Sequence, residues 1–131
     1  MAIFYNKVQR KNPSEPTEPA KWYPALRRIN QLKEKQVAME IADETTLNPK
    51  EAEMALSQFK KVLIRALLGG QSVQLGDWGT FYLTLSSEGS ATEAEVTSAK
   101  VKKINIRFQP GKELKEAIDK AEFLEAATLS K

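Results

Sequence analysis

The chain contains no cysteine and no histidine. That excludes thiol nucleophiles, disulfides, imidazole bases and the usual zinc, iron and copper ligand sets. Any catalysis would fall to carboxylates, lysines and hydroxyls. No apolar run approaches the roughly 20 residues of a membrane span, and the stretch "MAIFYNKVQRKNPSEP" lacks the apolar segment of a signal peptide. A soluble, intracellular protein is expected, with no enzyme activity, cofactor, metal, small-molecule substrate or membrane partner. Three of the six prolines fall in "NPSEPTEP", residues 12–19, which reads as a loop or linker.

What is present is charge, unevenly placed. The net charge of the 131 residues is only +3. Residues 1–35 carry eight basic and three acidic side chains, and residues 100–115 carry six and one; residues 36–99, with four and nine, form an acidic block between them. Two basic blocks around an acidic one suggest a charged face rather than a uniformly basic protein, or else a solvated surface.

Along the chain, "AIFYNKVQRK" reads as a strand, and "KWYPALRRI" as a strand confined to an edge by Pro24. Residues 33–45 carry Val37, Ala38, Ile41 and Ala42 at helical spacing. In "TTLNPKEAEM", Asn48 is placed to cap a helix, Pro49 takes its first position and Glu51 the capping-box position. This second helix should run from Pro49 to about Leu68 and stop at Gly69-Gly70. Ala52, Ala55, Leu56, Phe59, Val62, Leu63, Ala66 and Leu67 form one broad stripe on it, while Met54, Ile64 and Leu68 lie on another side. A helix that is apolar on two sides needs a second layer. A second copy of the chain would supply it, with Met54, Phe59, Ile64 and Leu68 at the dimer interface; the N-terminal segment is the other candidate.

The stretch "GDWGTF", residues 76–81, spends two glycines three apart, as a hairpin turn with positive φ would require. In the strand after it, Phe81, Leu83 and Leu85 share one face, and Tyr82 and Thr84 the other. "KINIRF" alternates likewise: Ile104, Ile106 and Phe108 against Lys103, Asn105 and Arg107. The apolar set should pack onto the helices. The polar set makes a flat, positive face suited to phosphates, with Lys100 and Lys102 beside it. Lys112 begins a third helix after Pro110-Gly111, where its charge and the helix amides can meet a phosphate. Between the two strands, residues 86–99 read as a mobile loop or arm.

Together, "LNPKEAEMALSQF", "SVQLGDWGTF" and "FQPGKELKEAI" resemble the HU/IHF family of bacterial histone-like proteins, in matching order over about residues 33–120. The extension "VQRKNPSEP…KWYPAL" resembles that of the HU-related proteins of Bacteroidetes-type bacteria. The resemblance implies an α+β fold: a helical hairpin, a three-stranded antiparallel sheet with a β-arm, a short C-terminal helix and extra N-terminal strands, in an intertwined homodimer. It divides the chain into an N-terminal extension (1–31), an HU-like DNA-binding domain (32–122) and a C-terminal tail (123–131).

The function implied is largely sequence-independent binding of duplex DNA by a β-saddle, in a cytoplasmic, nucleoid-associated protein. The saddle set is Lys100, Lys102, Lys103, Asn105, Arg107, Lys112, Tyr82 and Thr84. Lys7, Arg10, Lys11, Arg27 and Arg28 either extend the DNA footprint or solubilise the surface. In the family, arm arginines grip DNA and a tip proline wedges between base pairs. Residues 86–99 hold no Arg, Lys or Pro, but do hold Glu88, Glu93 and Glu95; Val96 is the sole wedge candidate. A second reading therefore stands beside DNA binding: a protein-interaction or structural module on the HU scaffold. Trp22, Tyr23 and Trp78 either stack on bases or pack in the core and hairpin. Glu113 and Glu116 either converge on a metal or are solvated helix surface.

Overall fold

The computed structural model describes residues 2–127. They form strands β1 (Ala2–Arg10) and β2 (Lys21–Arg27), helices α1 (Glu34–Glu44) and α2 (Pro49–Leu68), strands β3 (Val73–Gln74), β4 (Gly79–Ser87) and β5 (Val101–Pro110), helix α3 (Lys112–Asp119) and strand β6 (Glu122–Glu125). Two units result, 34–117 and a smaller one built from 1–33 and 118–131.

In the larger unit, α2 begins and ends where its local signals place it. Asn48 accepts from the Glu51 N–H at 2.9 Å, and the Glu51 carboxylate accepts from the Asn48 N–H at 3.2 Å, so two otherwise orphaned donors are satisfied. At the far end Gly70 takes a positive φ of 86°. Helix α1 packs along α2, burying Ala38 and Ala52, and Lys60 bridges to Glu34 at 2.8 Å. The stripe read from the sequence is only partly covered. Leu67 is buried and Leu56, Leu63 and Ala66 are half-buried, but Ala55, Phe59 and Val62 are exposed.

The second sheet of the chain, β3-β4-β5, is antiparallel throughout. Its turn differs from expectation in one respect. Gly76 has φ +54°, but Gly79 does not adopt a positive φ. The Phe108 ring and the Gln109 carbonyl lie where a side chain at 79 would sit, so that glycine is required by close approach. Trp78 packs on Phe108 at 5.0 Å between ring centroids, and Phe81 on Phe108 at 4.8 Å. The Gly111 N–H donates to the Trp78 carbonyl at 2.8 Å and the Glu113 N–H to the Asp77 carbonyl at 3.1 Å, which docks the start of α3 on this turn.

Beyond β3, β4 and β5 continue as a two-stranded ribbon. Its apolar face pairs Phe81 with Phe108, Leu83 with Ile106 and Leu85 with Ile104. Contrary to expectation, that face is not covered by the helices: Leu85, Ile104 and Ile106 are 60, 58 and 61% exposed. At the end of the ribbon, residues 88–100 fold into single 3-10 turns at Glu93–Glu95 and Ser98–Lys100, closed by the Glu88 N–H donating to the Lys100 carbonyl at 2.9 Å.

The smaller unit is a mixed sheet ordered β2-β1-β6. β2 is an edge strand, which tolerates Pro24, a residue with no N–H to donate. β6 runs parallel to β1, with Ile3 beside Phe123 and Phe4 beside Leu124. Residues 123–125, assigned above to a tail, are therefore strand; the backbone of β1 supplies their partners. Residues 128–131 of that tail lie outside the described residues.

Candidate nucleic-acid interface

The polar face of the ribbon is built by alternation. Tyr82 pairs with Arg107, Thr84 with Asn105 and Ser86 with Lys103, so all six side chains share one side of the sheet. None is acidic. Lys103 and Arg107 lie four residues apart on β5, about 13 Å at strand rise. Among the described residues neither forms an ion pair. Tyr82 and Asn105 are half-buried, and the Asn105 amide donates to the Ser86 hydroxyl at 3.4 Å.

Lys102 departs from this face. The register slips between Ser86 and Ser87, whose partners are Lys103 and Val101, so Lys102 is the extra residue of a bulge. Its ammonium lies 3.6 Å from the Glu88 carboxylate. The first acid of the ribbon's end thus offsets one of the expected saddle cations. Lys100 lies in the second 3-10 turn, at the ribbon's end.

Lys112 opens α3, as expected, with its side chain 81% exposed and 3.9 Å from Glu116. The Glu113 amide beside it is taken by the Asp77 carbonyl, so Lys112 offers charge more than it offers a helix-end amide cluster. Glu116 faces Lys112, and among the described residues no group of three or more carboxylates is placed to hold a metal ion.

The five cations of the N-terminal strands do not form one patch. Lys7 lies on the same side of the small sheet as Ile3, Tyr5, Trp22, Pro24, Leu26 and Phe123, which line an apolar groove of about 640 Å³, and it pairs with Glu125 at 3.5 Å. Arg10 and Arg27 lie on the opposite side, and Lys11 and Arg28 just past the strand ends. Trp22 and Tyr23 are exposed, not core; Trp78 is the one of the three aromatics that packs within the hairpin.

A family model described as "HU domain fused to wHTH, Ig, or Glycine-rich motif" matches residues 1–125. No curated protein matches the chain. Among solved structures, the fold is similar to that of a presumed bacterial DNA-binding protein from Bacteroides vulgatus, with a TM-score of 0.66 and 15% identity over 95% of this chain. The match spans 48% of that protein, about half its length. The fold is also similar to that of HU in a cocrystal structure of Anabaena HU with DNA, with a TM-score of 0.54 and 16% identity, covering 67% of this chain and 98% of that one.

Proposed function

The chain belongs to the HU-HIG family, HU domains fused to wHTH, Ig or Glycine-rich motif, and on that premise we propose that it is an architectural DNA-binding protein that holds duplex DNA by its phosphates, largely without regard to sequence. The observation that carries the reading is the polar face of β4–β5: Lys103 and Arg107 unpaired, on a side without a carboxylate. Flat, cationic and rich in short hydroxyl and amide side chains, it suits a sugar–phosphate surface. The Anabaena relative was crystallised with DNA, which supports the same assignment.

The working form is a homodimer. Met54, Ile64 and Leu68 on α2 are 66, 58 and 74% exposed, and the apolar ribbon face is bare as well. Large apolar side chains left to water on this scale mark an interaction surface. A two-fold axis would cover them and set two polar faces side by side as a saddle. The end of the ribbon adds little grip: Glu88, Glu93 and Glu95 repel phosphate, and without an arginine or proline there the duplex is bound without being wedged open. Such a protein is nucleoid-associated in a bacterial cytoplasm.

The acidic ribbon end favours one second reading, in which the scaffold docks another protein instead of DNA. A mobility-shift assay with random-sequence duplex separates the two. The double variant Lys103→Glu, Arg107→Glu should lose the shift and keep the wild-type circular dichroism, since Lys103 and Arg107 are both exposed. Unchanged binding would remove the saddle from the account, and absence of binding by the wild type would leave the docking reading.

A further inference from the structure

We propose a second binding site, in the smaller unit: the loop end of the β1–β2 hairpin takes single-stranded nucleic acid, with phosphates at Arg10, Lys11 and Lys21 and one base stacked on Tyr23. The site is separate from the saddle and does not depend on it.

The first argument is charge. The register sets Arg10 directly across from Lys21. Like charges in direct cross-strand positions destabilise a sheet unless something neutralises them. Among the described residues no carboxylate forms an ion pair with Arg10, Lys11 or Lys21, although Glu15 and Glu18 lie in the loop that joins the two strands. Three uncompensated cations gathered at one hairpin end point to an anionic ligand.

The second argument is shape. Arg10, Lys11, Asn12 and Tyr23 line a concavity of about 270 Å³. Alternation puts Tyr23 on the same side as Lys21, across from Val8, and Tyr23 is 44% exposed. Asn12 uses its Oδ1 to accept from the Ser14 N–H at 3.1 Å and the Ser14 hydroxyl at 2.7 Å, and its Nδ2 has no partner among the described residues. An aromatic face, an amide donor and flanking cations are what an unstacked base and its two phosphates need. A duplex would use the cations and leave the ring idle, because its bases are already stacked.

DNA and RNA strands both present this chemistry, so the probes are fluorescent oligothymidylate and oligouridylate of about 15 nucleotides, titrated against the full chain by anisotropy; the tighter probe identifies the source. Wild type and the saddle variant Lys103→Glu, Arg107→Glu should bind comparably. Arg10→Gln, Lys21→Gln and, separately, Tyr23→Ala should each weaken binding about tenfold, while Tyr23→Phe retains it. The altered residues are exposed, and Lys21→Gln should not lower the melting temperature, because it relieves the cross-strand repulsion. The proposal is overturned if neither probe binds, if the saddle variant alone abolishes binding, or if Tyr23→Ala binds as wild type does.

Discussion

At the residue scale, the two glycines of "GDWG" do different work. Gly76 supplies a left-handed turn, while Gly79 yields its side-chain space to Phe108. Gly79→Ala should destabilise the protein by about 1–3 kcal/mol, the usual penalty for overpacking, read as a lower urea midpoint. Equal stability of variant and wild type would show that Phe108 can move aside. The sequence reveals a glycine pair and a turn, but not this division: φ follows from the local turn, whereas the second constraint comes from a residue 29 positions away on another strand. Asn48 is the opposite case. Its cap is written entirely within four residues, and it was legible for that reason. Asn48→Ala should lower stability by about 1 kcal/mol, with loss of helical ellipticity as the second readout.

Elements divide along the same line. Both ends of α2 are set by neighbours in sequence, and the spacing of apolar residues gives both its length and its two-sided character. β6 was not legible, because "EFLE" has half its residues charged and owes its strand conformation to pairing with β1 more than a hundred residues earlier. The alternation of β4 and β5 identified which residues share a face, including Lys103 with Arg107, but not what covers the apolar side, since no periodicity encodes a partner. The bulge at Lys102 was likewise invisible; it arises from pairing, and it turns an expected saddle cation toward Glu88.

Two predictions belong to elements. Ile64 on α2 is 58% exposed, so Ile64→Glu should leave an isolated chain undisturbed. In a dimer it would bury an unpaired charge. Sedimentation at micromolar concentration should show dissociation or unfolding; wild-type behaviour would place the interface elsewhere. At the ribbon's end, removing residues 89–97 deletes Glu93 and Glu95 and no cation. Duplex affinity should change by less than about fivefold, the scale of a weak surface charge effect. A large loss would show that this segment grips DNA after all.

For the whole molecule, the net charge of +3 says little about partners, while its placement says more. The acidic block spans α1, α2 and the end of the ribbon; the saddle cations come from β5, the turn before it and the helix start that follows it. With Lys102 engaged by Glu88 and Lys112 by Glu116, Lys100, Lys103 and Arg107 remain, three per copy and so six in the proposed dimer. Binding that rests on these groups should be weak at physiological salt and nearly indifferent to sequence.

The central claim is that duplex DNA is held by phosphate contacts at this saddle, and the measurement that tests it most directly is a salt titration of binding to random duplex DNA. With these six cations reaching phosphates, counterion release gives a log–log slope of about −5. The account predicts that slope for the wild type. No salt-dependent binding at about 50 mM salt, where such contacts are strongest, would contradict it.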